Sequence, residues 1–387
     1  MSATAVSAIA ALAAEHAERS ERDRRLAPEV VDALRAADLF RLCVPRALGG
    51  AEAAPLELIE AVETLARADA STGWCLAVTA TSGLVAAYLD EEAAREVYGS
   101  AGVAVGGVFA PRGHAVGAGD RLSVTGRWAF ASGSPFCDWL MGGCLTELDG
   151  RPVEPRLVLF PRDDVEIVDT WTVSGLCATG SHDIAVDGLS VPVSRSAAVI
   201  GASPRVEGAL YAFPLFGLLA AAIAAVTLGV ARAAMDDLLE LAGAKQPEGS
   251  RRKLAERSTV QAEVARAEAS LRAARGLLVE SLARGYERAE AIGAHPAEPG
   301  ASARRDGIGT EDRMAVRLAS THAARSAAGV VDACYELGGG SSIYATSPLQ
   351  RRFRDVHAAT QHMLVSRSTL ELTGRLLLGL PSDVSQL

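Results

Sequence analysis

Between Glu207 and Arg232 the chain carries no charge at all, reading GALYAFPLFGLLAAAIAAVTLGVA. A helix of that composition has no polar face, so every side of it must be buried. Its length would span a bilayer. However, Ala and Gly dominate it, Pro214 interrupts it, and an acidic helical segment follows at residues 235–241. Those features favour a helix enclosed by a bundle or a subunit interface over a membrane span.

On both sides of that run the periodicity sorts the chain into three parts. Residues 1 to about 105 read as helices. Leu26-Ala27-Pro28 leads into EVVDALRAADLF, and Pro55 opens LELIEAVETLARAD. Ser71-Thr72-Gly73 is expected to break that helix, and Trp74 to open a buried one, WCLAVTATSGLVAAYL. A short helix from Glu91 to Gly99 closes this part. Residues 106–204 are rich in Val, Thr, Trp and Gly, and LSVTGRWAF, WLMGGCLT, RLVLFP, VEIVDTW and IAVDGLSVP read as strands between turns. No helical stretch separates them, so the sheet is expected to be antiparallel, a barrel or a sandwich. Residues 205–387 return to the helical period, with four long helices at about 208–244, 251–290, 311–337 and 347–379, the makings of a four-helix bundle. A Pro/Gly-rich loop is expected at 293–309. The fold class is α+β, mostly α.

Composition narrows the function. The net charge of −9 and pI near 5.4 argue against nucleic acid as a partner, because phosphate binding needs a basic face. The six cysteines form no CxxC pair and no zinc-like spacing with histidine, so no metal is expected and the thiols read as buried and free in a reducing cytoplasm. The N-terminus lacks the basic start, apolar core and cleavage site of a signal peptide, which again points to the cytoplasm.

The last helical stretch, LQRRFRDVHAATQHMLVSRST, follows Pro348. Arg351 and Asp355 are four apart and are expected to pair. His362 comes seven residues after Asp355, two helical turns on along the same face. His357 points elsewhere on that helix and reads as structural. A lone histidine is more often an ordinary polar residue than a catalyst.

Helices, then strands, then a helical bundle is an unusual order, and it resembles the acyl-CoA dehydrogenase superfamily over nearly the whole chain. The resemblance rests on five segments in the right order. Gly126-Arg127-Trp128-Ala129-Phe130-Ala131-Ser132-Gly133 is similar to a flavin-facing strand. Asp169-Thr170-Trp171 with Gly175-Leu176-Cys177-Ala178-Thr179-Gly180-Ser181 is similar to a second one and its loop. Arg257-Ser258-Thr259-Val260-Gln261 resembles the bundle segment that meets a neighbouring subunit's flavin. Leu337-Gly338-Gly339-Gly340 resembles the turn before the last helix, and Arg354-Asp355 the Arg-Asp of that helix. Many dehydrogenases of the superfamily carry a catalytic glutamate eight residues after the aspartate. Here that position is Met363, its neighbour is His362, and no carboxylate lies between Asp355 and Glu371. With Ser71-Thr72-Gly73-Trp74 and the Phe-x-Ser-Gly strand, this pattern resembles the reduced-flavin-dependent monooxygenases of the same fold. Those are oxygenase components of two-component systems such as 4-hydroxyphenylacetate hydroxylase.

The resemblance implies a reduced flavin, FADH2 or FMNH2, delivered by a separate reductase, and O2 as co-substrate. It implies a C4a-hydroperoxyflavin that hydroxylates an aromatic or related small molecule in a dry pocket, and a homotetramer. Ser132 is then a partner for flavin N5, able to donate or accept. Phe130 and Trp171 flank the ring, Thr179 and Ser181 add hydroxyls, Arg257 meets flavin phosphate across a subunit boundary, and Gly339 and Gly340 belong to the cofactor site. His362 handles a proton, while Trp74 and a loop carrying His114 border the substrate. The plain alternatives are a turn serine at 132, core packing at Trp171 and a solvated helix charge at Arg257. GGGSS is not a dinucleotide fingerprint, so no nicotinamide site is expected. Two other functions stay open, an acyl-CoA dehydrogenase with bound FAD and a non-catalytic ligand-binding member.

Overall fold

The structure, a computed structural model, describes residues 3–293, 308–385 and 387. Most of the loop expected at 293–309 lies outside the described residues. The N-terminal helices are α1 (Ala3–Asp23), α2 (Pro28–Ala36), α3 (Pro55–Ala68), α4 (Ala70–Ser82) and α5 (Glu91–Tyr98). Pro28 and Pro55 stand in the first turns of α2 and α3, where a missing N–H is no loss.

Ser71-Thr72-Gly73 does not break the helix. The break falls at Asp69, whose Oδ2 accepts from the Thr72 N–H at 2.8 Å and from the Thr72 hydroxyl at 2.7 Å, capping α4. Gly73 serves close packing, since a Cβ there would stand 2.5 Å from the Ala66 Cβ of α3. The approach of α3 to α4 brings Trp74 beneath the sheet.

The strands are β1 (Val105–Ala118), β2 (Arg121–Ala131), β3 (Trp139–Leu148), β4 (Arg151–Pro161), β5 (Glu166–Val168), β6 (His182–Pro192) and β7 (Ser196–Ala197). They form one sheet in the order β5-β6-β2-β1-β3-β4-β7. Every pairing is antiparallel except β1 with β3, which is parallel, so the sheet is mixed where an antiparallel one was expected. β1 was not among the expected strands, because Gly106, Gly107, Pro111 and Gly113 hide its period of two and its register shifts around Pro111. The glycines have a packing cause. A Cβ at Gly113, Gly126 or Gly142 would stand 2.3–2.6 Å from the ring of the fully buried Trp128.

The remaining helices are α6 (Ala209–Ala212), α7 (Leu215–Ala244), α8 (Ser258–Gly293), α9 (Thr310–Gly338), α10 (Pro348–Ala359) and α11 (Ser368–Leu377). Pro214 separates α6 from α7. α7 packs against α3, α4, α8, α9 and α10. Among the described residues, two stretches are long and apolar enough to cross a membrane, Ala70–Tyr88 and Leu215–Ala244, and their apolar windows are 94% and 78% buried inside the chain. One hydrophobic core runs from α1–α4 through the sheet into α7, α8 and α9.

The helix expected over 347–379 is interrupted. α10 ends at Ala359, a single 3-10 turn follows at Met363–Val365, and α11 starts at Ser368. His362 is extended there (ψ 132°), and its own ring caps the turn, Nδ1 accepting from the Leu364 N–H at 3.3 Å. A polar side chain that satisfies the local backbone competes with the helix.

Candidate active site

β2 ends in a deformed corner. Phe130 has φ +68° and Gly133 φ +77°, and the strain at Phe130 turns its ring outward, 71% exposed. Beyond the corner Ser132 points inward and is buried. The facing loop is equally constrained, with Leu176 at φ +53° and Gly180 at φ +54° around a 3-10 turn at Cys177–Thr179. Gly133 N–H donates to the Thr179 carbonyl at 2.9 Å and the Ser134 hydroxyl to the Gly180 carbonyl at 3.0 Å, so corner and loop form one unit.

That unit holds a chain of hydroxyls whose direction follows from its end. The Leu176 carbonyl only accepts, so Thr179 donates its hydroxyl hydrogen to it at 2.9 Å. Thr179 then accepts from Ser181 at 2.6 Å, and Ser181 accepts from Ser132 at 2.7 Å. Ser132 accepts from the indole N–H of Trp74 at 3.0 Å. The hydrogen of Ser132 is therefore committed and one lone pair remains. Of the two roles expected for Ser132, this packing leaves acceptance.

Trp74 links the relay to the bundle. Its ring meets the His362 imidazole edge-on, with centroids 5.7 Å apart and planes at 68°. Because Nδ1 of His362 accepts from backbone, the ring hydrogen sits on Nε2. Burial, with a smaller contribution from the positive charge of Arg317, pushes the imidazole down to about 4, so at neutral pH it is an uncharged N–H donor. His362 reaches this place from the turn after α10, not from a helical face shared with Asp355.

Asp355 has another task. Its Oδ1 accepts from the Leu176 N–H at 2.7 Å, and burial pushes its carboxyl up to about 6. Gly175 passes so close to α10 that a Cβ would stand 2.2 Å from the Arg354 carbonyl. Arg354 donates to the Ser174 carbonyl. Asp355 and Arg354 thus fasten the Leu176 loop to α10. The expected pair of Arg351 with Asp355 does not form, because Arg351 binds Glu21 at 2.9 Å and the Ala17 carbonyl at 2.5 Å. His357 bonds Asp332 at 2.8 Å, clear of the cluster.

Outside the relay, Phe130 and Trp171 make an aromatic corner, centroids 6.1 Å apart and planes at 87°. Trp171 Nε1 donates to the Leu176 carbonyl at 3.2 Å. Arg24 holds the base of this loop, donating to both oxygens of Asp169 at 2.7 Å and to the Trp171 carbonyl at 3.1 Å. An exposed phenyl ring and a half-buried indole beside a buried acceptor suit a planar, partly polar ring system such as a flavin.

The structure thus brings together Trp74, Phe130, Ser132, Trp171, Thr179, Ser181 and His362. Arg257 is exposed just before α8. Gly339 (φ +56°) and Gly340 are exposed in the turn after α9, near a cavity of about 220 Å³ lined by Asp237, Ser341, Tyr344 and Leu349. No hydrogen bond, ion pair or ring contact joins these three residues to the Ser132 cluster among the described residues. His114 lies in β1 opposite Thr125, exposed, where a pocket-bordering loop was expected. Sequence reasoning missed Arg317 of α9, a buried arginine beside His362. The sequence held no distinguishing signal, since Arg313, four residues earlier on the same helical face, is basic too.

Two family models match the chain, "Acyl-CoA dehydrogenase, N-terminal domain" over residues 1–98 and "Acyl-CoA dehydrogenase, C-terminal domain" over residues 221–367. An indole-3-acetate monooxygenase of Pseudomonas putida is 33% identical, over 92% of this chain and 88% of its own. The chain belongs to the monooxygenase branch of the acyl-CoA dehydrogenase superfamily. An FADH(2)-dependent resorcinol hydroxylase, oxygenase component, from Rhizobium sp. is 29% identical over 92% of this chain and 89% of its own. Among solved structures, 3-HSA hydroxylase from Rhodococcus sp. RHA1 superposes with a TM-score of 0.88 at 27% identity, covering 99% of this chain and 98% of that one.

Proposed function

We propose that the chain is the oxygenase component of a two-component flavin monooxygenase. It takes reduced flavin and O2 and places one oxygen atom on an aromatic or related small molecule. The flavin, when bound, supplies the electrons and the oxygen-activating ring. One observation carries the reading over that of an acyl-CoA dehydrogenase. The side chain facing the site from the bundle is an uncharged imidazole, and the carboxylates nearby are spoken for. Asp355 is turned to the Leu176 N–H, Asp69 caps α4, and Asp237 meets Arg352. A base able to take a proton from the α-carbon of an acyl thioester is absent from this cluster among the described residues.

The protein's own groups then divide the work. The free lone pair of Ser132 receives a ring N–H such as N5 of a reduced flavin. Phe130 and Trp171 flank the ring, and Thr179 and Ser181 hold Ser132 in place through the relay. His362 offers its Nε2–H to an oxygen above the ring, and Trp74 fixes both partners while closing the pocket to water. Arg257, Gly339 and Gly340 serve the flavin of a neighbouring subunit in a homotetramer. His114, exposed on β1, has no role in this reading. A separate flavin reductase provides the reduced flavin by diffusion, and the protein works in the cytoplasm as three units, 1–105, 106–204 and 205–387.

The test is a pair of reactions on purified protein. Reduced flavin added without air and then mixed with O2 should oxygenate an aromatic probe, with indole-3-acetate and resorcinol, the substrates named for two relatives, tried first. Acyl-CoA thioesters should fail to bleach bound oxidised flavin. Bleaching by an acyl-CoA would replace this function with the dehydrogenase.

A further inference from the structure

Arg317 sits in the third turn of α9, which packs on α7 and on the turn at Met363–Val365. It is only 5% exposed. Its Nη1 donates to the Phe216 carbonyl at 3.3 Å, and its Nε–H has no partner. No carboxylate pairs with it among the described residues. Buried charges are as a rule paired, and several inward arginines obey it, whereas Arg325, half-buried on the same helix, also has an unpartnered Nε–H and meets the Thr360 carbonyl rather than a carboxylate. Arg352 meets Asp237, Arg351 and Arg354 meet Glu21, and Arg232 meets Glu268. Burial pulls the proton affinity of Arg317 down to about 10, which leaves it charged at neutral pH. Because α9 packs on the turn that His362 caps, the orphaned guanidinium is on the bundle side of the site, and its charge contributes to keeping His362 neutral.

We propose that Arg317 recognises an anionic substrate, a small aromatic acid whose carboxylate takes the unused Nε–H and a neighbouring Nη–H while its ring lies against Trp74 and His362. The inference rests on the reading of the Trp74–Ser132–His362 cluster as the oxygenation site. A guanidinium presents two parallel donors that match a carboxylate edge. With no carboxylate paired to Arg317 among the described residues, the incoming acid would supply the countercharge that the fold leaves out. The flavin is a weaker claimant, because its proposed place is the sheet side of His362, where the relay is neutral.

The test compares indole-3-acetate with indole-3-acetamide, of similar shape and no charge. Binding to the full chain loaded with reduced flavin in the absence of air is read by calorimetry, so turnover is not needed. The parent should bind the acid about tenfold or more tightly than the amide. Arg317→Gln should lose that preference while keeping its affinity for reduced flavin, and Arg317→Lys should keep part of it as a point charge. Equal binding of acid and amide by the parent, no binding of the acid, or a preference that survives Arg317→Gln would each overturn the proposal. So would a loss of reduced-flavin affinity with the acid preference intact, which would assign the guanidinium to the cofactor. If Arg317→Gln does not fold, the parent and Arg317→Lys decide by the same ratio. Flavin-dependent oxygenation of the neutral amide by the parent tests the function separately, so the two failures are distinguishable.

Discussion

Ser132 and His362 each do one thing that a different residue would not. Ser132→Ala removes the central link of the relay and leaves the Trp74 N–H and the Ser181 hydroxyl without their partner. A buried donor left unpaired costs about 1–3 kcal/mol, so the variant should lose stability in urea unfolding. It should also release more H2O2 per reduced flavin oxidised, because the ring N–H has lost its acceptor. Unchanged coupling would remove Ser132 from the site. His362→Ala should keep its affinity for reduced flavin and lose product turnover by about 10²–10⁴-fold, the usual worth of a proton-handling group. The pH dependence of His362 has a definite sign. Its folded value of about 4 lies below the ordinary 6.5, so the unfolded chain takes up the proton first. Its contribution is complete above about pH 6.5 and is lost as the pH falls toward 4. Product formation between about pH 6 and 8 should accordingly show no titration by this residue, and a His362-dependent step near pH 6.5 in a rate profile would contradict the buried, neutral imidazole.

The Leu176 loop and α10 form the element that holds the relay, and Asp355 is its clasp. Its carboxyl titrates at about 6 in the fold against an ordinary 3.8, with Asp69 opposing its charge and Arg351 and Arg352 favouring it. The folded chain therefore holds the extra proton, and stability falls as the pH rises from about 4 to 6, opposite in sign to His362. Asp355→Asn keeps an oxygen for the Leu176 N–H and removes this titration. Measured by urea unfolding at about pH 4 and pH 7, its stability relative to the parent should improve by up to about 3 kcal/mol as the pH rises. A difference that stays constant with pH would show that the carboxyl is not buried as described. At this scale the sequence was readable where a pattern was regular and silent where packing chose the residue. The alternation in β2 and β6 exposes those strands, and runs of apolar residues between turns expose β3 and β4. β1 hides because its glycines, Gly106 packed on Cys137, Gly107 on Met141 and Gly113 on Trp128, erase its pattern. Ser71-Thr72-Gly73 reads as a break because glycine usually is one, yet contact with Ala66 is a tertiary requirement that no local pattern carries. The end of α10 is hidden for a similar reason, since the cap is made by the side chain of His362 itself. Ser132, Trp171, Thr179 and Ser181 were readable as a set only through the resemblance, and Arg317 was not, because being unpaired is a property of the folded surroundings.

For the whole molecule, the order of helices, sheet and helices was legible from periodicity, and the core joins all three parts. Assembly belongs to this scale too. Arg257 and the Gly339-Gly340 turn stand exposed and apart from the Ser132 cluster in one chain, and Ile343 and Tyr344 beside that turn are 69% and 66% exposed. Exposed apolar residues next to candidate cofactor contacts fit a subunit boundary. Light scattering at micromolar concentration should give a tetramer, or at the least a dimer, and a monomer would leave Arg257 with no flavin to meet. The central claim is that oxygen from O2 ends in the product. The direct measurement supplies reduced flavin, an aromatic probe that the protein binds and isotopically heavy O2, and weighs the product. Incorporation of one heavy oxygen atom per product molecule, dependent on both reduced flavin and His362, is the predicted result. Release of all the heavy oxygen as H2O2 with the probe unchanged would contradict it.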